Sequence, residues 1–327
     1  MRLMAGLGAL VAVLFLGSLL IGPAGLPPRA ALAALITGGD DDMAALIMRE
    51  IRLPRALLGV LVGAALGLAG AAMQGFLRNP LAEPGLIGTS ASASLGAVLA
   101  IHTGLAAAFA PALPLAALTG AALSVGLVMA LAGPGGGALA LILAGIAISA
   151  LAGAATSLVL NLSPNPWAAA EIVFWMMGSL ADRSMLHVAI AAPLILLGAL
   201  ALAGCGRGLR ALTLGEDAAA AMGVHPGRLR LTIMAGTAAL VGGATAVAGA
   251  VGFVGLVVPH LLRRAVGADP ARLMAASALG GAAMVLAADI ALRLILPGRD
   301  LKLGVLTALI GAPFFLHLIL KTRRQGL

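Results

Sequence analysis

Tyrosine is missing from this chain, and tryptophan occurs only as Trp167 and Trp175. The aromatic belts that often mark both membrane–water boundaries are therefore nearly absent. Cysteine occurs once, as Cys205, which excludes an intramolecular disulfide and a cysteine metal cluster. The only lysines are Lys302 and Lys321, and neither ends a glycine-rich loop. Without a Walker A sequence the chain cannot itself cradle a nucleotide in that way. HExxH and GxSxG sequences are missing too, and the histidines (102, 187, 225, 260 and 317) are scattered. No convergent catalytic set can be drawn, which argues against an intramembrane enzyme, and no metal or cofactor site is read. Charge is the last scarcity, at 10% of residues. A soluble domain needs far more polar surface than that.

What the chain has is apolar length. Hydrophobic residues make up 61% and mean hydropathy is +1.12. Apolar runs of about 18 residues or more recur from end to end, the pattern of an all-α, polytopic membrane protein. One transmembrane domain spans residues 1–327. Ten spans are expected, at approximately 4–22, 56–76, 86–102, 112–132, 138–160, 187–205, 231–248, 250–263, 273–295 and 304–320. The first resembles a signal peptide, but its apolar run of roughly 18 residues exceeds a usual signal core, so a retained helix is expected. The eighth is short and interrupted by Pro259.

The net charge of +8 reads as topology and lipid-headgroup contact, not as a nucleic-acid surface. Basic residues gather in alternate loops, among them Arg78, Arg207, Arg210, Arg228, Arg230, Arg263 and Arg264. The positive-inside rule then places both termini in the cytoplasm. Parity puts Arg52 and Arg55 of the RLPR stretch outside, with Pro54 at a helix start where its missing N–H costs little. In the second span Gly59, Gly63, Gly67, Ala71 and Gly75 recur every four residues, a smooth stripe for close packing inside one bundle. The segment holding both tryptophans reads as a short helix at the outer interface. Asp40, Asp41 and Asp42 read as a solvated turn. Asp289 and Arg293, four apart in the ninth span, can pair on one helix face. An ion-coupled secondary transporter, the alternative reading, would bury ionisable groups near the midplane.

The largest cytoplasmic loop is GRGLRALTLGEDAAAAMGVHPGRLR, residues 206–230. Thr213 and Glu216 have capping-box spacing, and Gly223 suits a helix end, which predicts a two-turn helix over 215–222. Alone it is too short to be stable, so the bundle, headgroups or a docked partner must hold it.

Seven blocks in order resemble one known family. They are RLPR with its glycine stripe, MQGFLRNPLAEPGLIGTSASASLGA, FWMMGSL, LGEDAAAAMGV, GAVGFVGLVVPHLLRR, AADIALR and GVLTALIGAPFFLHLILK. Together they are similar to the FecCD-type permease subunits of binding-protein-dependent ABC importers for iron-siderophores, haem and cobalamin. The resemblance covers about residues 50 to 322; before that it is only a helix and a loop. It implies a type II ABC importer permease fold of about ten transmembrane helices, working as a homodimer in a bacterial inner membrane. Two ATP-binding cassette subunits would dock below and a periplasmic substrate-binding protein outside. ATP hydrolysis would belong to the partner, with no cofactor on this chain. The cargo would be a metal chelate, a ferric siderophore in the favoured reading, with haem and cobalamin as alternatives.

The resemblance also implies roles for residues. LGEDAAAAMGV matches the family's coupling helices, giving Leu214, Gly215, Glu216, Asp217, Ala218, Met222 and Gly223 an ATPase-docking role. RNPLAEPG matches a stretch that narrows the cytoplasmic exit, with Asn79 and Leu81 as gate candidates and Pro80 and Pro84 stiffening the loop. The fifth and tenth helices would line the path. Arg52, Arg55 and Arg293 become a basic rim facing carboxylates of the binding protein. One departure is plain: a family Glu-Leu-Pro before GVLTAL is here Asp300, Leu301 and Lys302.

Overall fold

The computed structural model describes residues 2–39, 42–109, 111–133, 136–163, 166–295 and 301–324. Among the described residues there is no strand. The chain runs α1 (Arg2–Leu20), α2 (Pro28–Thr37), α3 (Met43–Phe76), α4 (Thr89–His102), α5 (Ala112–Ala132), α6 (Ala138–Asn161) and α7 (Pro166–Met176). It continues through α8 (Met185–Ala203), α9 (Gly206–Leu212), α10 (Glu216–Ala221), α11 (Pro226–Ala248), α12 (Val254–Leu262), α13 (Pro270–Ile295) and α14 (Leu303–Arg324). Every expected span is a helix, but not all are full length. Among the described residues seven (α1, α3, α5, α6, α8, α11 and α13) are long and apolar enough to cross a membrane. Helices α4 and α12 and the apolar part of α14 are shorter.

The second span corrects the reading of RLPR. Helix α3 begins at Met43, where the Asp42 side chain accepts the Ala44 N–H at 2.9 Å and caps it. Asp42 is thus a helix cap, while Asp40 and Asp41 lie outside the described residues. The helix then passes through a π-helical turn, Ile47–Arg52, in which the Leu53 N–H reaches back five residues to the Met48 carbonyl. Pro54 therefore sits inside a continuous helix and not at its start. A proline ring in an α-helix presses on the carbonyl four residues back, and the wider turn just before it relieves that crowding. At 34 residues the helix is about 50 Å long, well beyond a hydrocarbon core of about 30 Å.

Helices α3 and α11 form the centre of the bundle: 72% of their most apolar windows is buried, against 11% for the peripheral α1. With no hydrophobic drive between helices in lipid, contact depends on close van der Waals approach. The glycine stripe supplies it. A Cβ on Gly63 would collide with the Gly281 carbonyl and one on Gly67 with the Ser277 carbonyl, both on α13, so these two backbones touch. Gly70 meets Gly255 of α12 in the same way. The stripe packs within the chain, as its spacing suggested.

Helix α7 accounts for the tryptophan segment. Trp175 is buried with Ala93, Ala97 and Ala117 of α4 and α5, whereas Trp167 is 85% exposed. One tryptophan is core and the other surface, a split that composition does not reveal.

Candidate functional site

The loop between α8 and α11 is a built structure. Thr213 ends α9, and its hydroxyl donates to the Arg210 carbonyl at 2.6 Å. The expected capping box with Glu216 is not formed, because the residue that caps α10 is Gly215, which puts Glu216 at the first helical position and not the third. Gly215 leads into α10 at φ 108, a conformation L side chains rarely adopt. Glu216 and Asp217 occupy the first turn, where negative charge suits the helix dipole. Gly223 closes α10 at φ 80, and the Val224 N–H returns to the Ala219 carbonyl at 3.0 Å. The helix is one residue shorter at each end than the expected 215–222, and its cap differs.

Packing gives α10 two faces. Ala219 is fully buried, and Leu209 and Leu212 of α9 are buried beside it. Leu214 and Met222 instead flank the helix at 71% and 54% exposure, with Glu216 and Asp217 exposed between them. Arg210 ties the loop to α13 through the Asp269 carboxylate, Nη2 donating to Oδ1 at 3.1 Å. The same carboxylate accepts the Arg272 N–H at 2.8 Å at the start of α13. The Arg210 hydrogen bond holds the Asp269 carboxyl below its ordinary range.

The loop after α3 lies at this same end of the bundle. The Asn79 side chain accepts the Leu81 N–H at 2.9 Å, and its carbonyl accepts the Ala82 N–H at 3.1 Å. Asn79 is exposed and shapes its own turn, while Leu81 is half-buried. Two residues further on, Glu83 is anchored: its carboxylate accepts the Phe253 N–H at 2.9 Å. Phe253 has φ 66 and is the residue before α12. Burial pushes the Glu83 carboxyl above its ordinary range, and the Phe253 hydrogen bond only partly opposes this. Buried Gln74 adds a second tie, accepting from Arg263 Nη2 at 2.7 Å and donating to the Leu256 carbonyl at 3.3 Å.

Segments recognised in the sequence converge along α14. Gly304 lies against the carbonyls of Met177 and Ala250, Gly311 lies against Phe253, and the Phe314 ring stands edge-on to His260 at 5.8 Å. Met176, Met177, Ala250, Val305, Leu309 and Pro313 line an open apolar recess of about 560 Å³. Lys302 stands over the Phe174 ring, 5.5 Å from its centre. Asp300 lies outside the described residues.

The three arginines expected to form a docking rim are mostly engaged inside the chain. Arg52 is 3% exposed and donates through Nη1 to the Leu19 and Leu20 carbonyls, at 2.9 and 3.0 Å. Arg293 is also buried and donates to the Ser18 and Ile21 carbonyls at 2.8 and 2.7 Å. Together they take four consecutive carbonyls at the end of α1, groups that a helix terminus leaves without partners. Asp289, buried between them, pairs with Arg293 at 2.7 Å and with Arg55 at 2.8 Å. The i,i+4 pair read from the sequence is present. Arg55 alone keeps some side-chain exposure, 21%.

Sequence reasoning missed the ties made by Glu83 and Gln74, and read Arg263 only as a topology charge. Gln74 was the visible signal, as the one amide in the apolar run of α3. Among the described residues no group of three or more His, Cys, Asp or Glu is placed to hold a metal.

Closely seamed spans and a short exposed helix mounted between two of them define the class, a polytopic membrane protein. The model of the FecCD transport family matches residues 10–321, and the chain belongs to that family. It is similar to the hemin transport system permease protein HmuU of Yersinia pestis, at 39% identity over 99% of this chain and 97% of that one. To the ferric enterobactin transport system permease protein FepD of Escherichia coli (strain K12) it is 40% identical, over 94% and 92% of the two chains. To the vitamin B12 import system permease protein BtuC of Klebsiella pneumoniae it is 36% identical, over 99% and 95%. Among solved structures it superimposes on an inward-facing conformation of a metal-chelate type ABC transporter with TM-score 0.87 and 32% identity, covering 98% and 99%. The chain is thus a permease of the metal-chelate ABC importer family, and these relatives are transport proteins, not enzymes.

Proposed function

We propose that the chain is the membrane subunit of an importer that passes a metal chelate inward, paired with a second copy and driven by two separate ATP-binding cassette subunits. The observation that carries this reading is α10. It is a six-residue helix, too short to stand alone, yet clamped between α9 and α11 with Leu214 and Met222 projecting outward. An apolar pair flanking an acidic turn suits a cleft in an ATPase. The basic residues near this end (Arg207, Arg210, Arg228, Arg263) support placing it in the cytoplasm with both termini.

The loop 78–88 then acts as the inner gate, with Leu81 as its apolar tip and Asn79 holding the turn. A substrate-loaded binding protein docks at the opposite end, where Arg55 is the remaining candidate contact of the three arginines. Its docking, with nucleotide binding below, shifts the homodimer between outward- and inward-open states. Likeness to an inward-facing transporter supports assigning this conformation to the inward-open side. The recess along α14 is apolar, which suits weak passage of a bulky chelate rather than retention. The favoured cargo is a ferric siderophore.

The ion-coupled alternative loses its main candidate. Asp289 is paired with two guanidinium groups, which engage both of its carboxylate oxygens within the chain. The test is ATP hydrolysis by the permease assembled with its ATPase, with binding protein loaded with ferric siderophore, haem or cobalamin. Stimulation by the ferric siderophore is expected. Stimulation only by one of the other two reassigns the cargo, and none by any of the three refutes the importer reading.

A further inference from the structure

Arg230 opens a question that transport does not answer. It lies in the first turns of α11, is 7% exposed, and donates through Nη1 to the Gly136 carbonyl at 2.6 Å. Its Nε and Nη2 are buried with no hydrogen-bond partner. Among the described residues no carboxylate forms an ion pair with it. A guanidinium carries a fixed charge, and a buried charge without a counter-charge is strongly unfavourable. Water can satisfy two N–H groups but cannot neutralise the cation.

The surroundings are shaped for an anion. Arg230 lines a cavity of about 200 Å³ together with Gly136, Gly137, Ala138, Gly227 and Glu216. Two long helices start there, α6 after Gly137 and α11 at Pro226, and neither has a side-chain cap. The first helical bond of α6 runs from the Leu141 N–H to the Gly137 carbonyl, and among the described residues the Ala138, Leu139 and Ala140 N–H groups of the first turn have no backbone partner. A Cβ on Gly137 or Gly227 would meet nothing within 4 Å, so there is open space beside both. Helix N-termini favour negative charge, and free N–H groups with a nearby guanidinium form a phosphate-binding set. Glu216 is exposed on the same lining and disfavours a doubly charged guest.

We propose that Arg230 and the N-termini of α6 and α11 form a binding site for a phosphate group, best matched by the singly charged phosphodiester of a phospholipid headgroup. Leu212 and Glu216 of the α9–α10 loop line the same cavity, so an occupied site braces that loop from beneath. The inference does not depend on the transported cargo.

The test is binding, read by native mass spectrometry on the full chain in detergent. Phosphatidylglycerol, a phosphate-free galactolipid and inorganic phosphate are offered separately, and phosphate is then offered in competition with phosphatidylglycerol. The expected result is retention of one phosphatidylglycerol and no galactolipid, weakened at least about tenfold in Arg230→Gln by loss of a charge-assisted hydrogen bond. Gly137→Asp is the second variant: φ −75 and ψ −174 accept any residue, and the new carboxylate should displace the lipid. Competition by inorganic phosphate assigns the site to the phosphate group alone; failure to compete, with the lipid retained, assigns it to the headgroup. Equal retention by the native chain and both variants, or equal retention of galactolipid, overturns the proposal. Should Arg230→Gln fail to fold, Gly137→Asp decides it.

Discussion

The Glu83 carboxylate accepts the backbone N–H of Phe253 at 2.9 Å, joining residues 170 apart and binding the loop after α3 to the start of α12. Because burial raises the Glu83 carboxyl above its ordinary range, the folded chain holds that proton more tightly than the unfolded one. Its contribution to stability is therefore greatest below the ordinary carboxylate range and falls as pH rises toward the raised value. Glu83→Gln keeps an acceptor for Phe253 and removes that slope. Glu83→Ala leaves the N–H unsatisfied and should cost about 1–3 kcal/mol. Unfolding midpoints measured against pH check both. A Glu83→Gln slope identical to that of the native chain would show that the carboxyl does not titrate with folding.

Arg52 and Arg293 act as a cap supplied from other helices for the end of α1. Arg293→Ala should destabilise the fold by about 3–5 kcal/mol, the usual cost of breaking a buried pair. Arg293→Lys should rescue little of this, since a point charge cannot reach two carbonyls and a carboxylate as a planar fork does. Protease susceptibility of the α1–α2 segment reports the loss directly. Arg52→Glu should likewise lower the yield of folded protein before any docking effect appears. A well-folded Arg52→Glu chain with selectively weakened binding-protein association would restore the docking role.

The seam between α3 and α13 is sharply position-dependent. Gly67→Val should abolish folded protein, because its side chain would enter the Ser277 carbonyl. Gly153→Ala, where a Cβ meets nothing, should be neutral or stabilise by up to about 1 kcal/mol. Size-exclusion yield of the two variants separates them.

Leu214 and Met222 are expected to anchor the partner ATPase. Leu214→Ala combined with Met222→Ala should weaken assembly roughly tenfold or more, as loss of buried apolar anchors does. Stability of the isolated chain should stay unchanged, since both side chains already face outward. Co-purification with the ATPase subunit measures the effect, and undiminished recovery would move the docking surface elsewhere.

Helical periodicity and run length located each of the seven helices among the described residues that are long enough to cross a bilayer, because a bilayer imposes both. The glycine stripe also announced its role, since small residues four apart have few other uses in lipid. What escaped the sequence depends on partners far along the chain. The RLPR arginines looked like a surface rim because nothing nearby shows that the end of α1, over thirty residues earlier, comes within reach of Arg52. Thr213 and Glu216 have capping-box spacing, yet the helix is capped two residues after Thr213, at Gly215. The π-helical turn before Pro54 has no compositional signature, so the span expected from residue 56 begins thirteen residues earlier, at Met43. Glu83 and Gln74 are polar groups whose partners lie on α12 or at its two ends, a pairing no local pattern encodes.

The most direct measurement is uptake into proteoliposomes holding the permease and its ATPase, with loaded binding protein outside and ATP within. Uptake of a ferric chelate that requires ATP, the ATPase and the binding protein together is the expected result. Uptake by the permease alone, driven by a proton or sodium gradient without ATP, would contradict it.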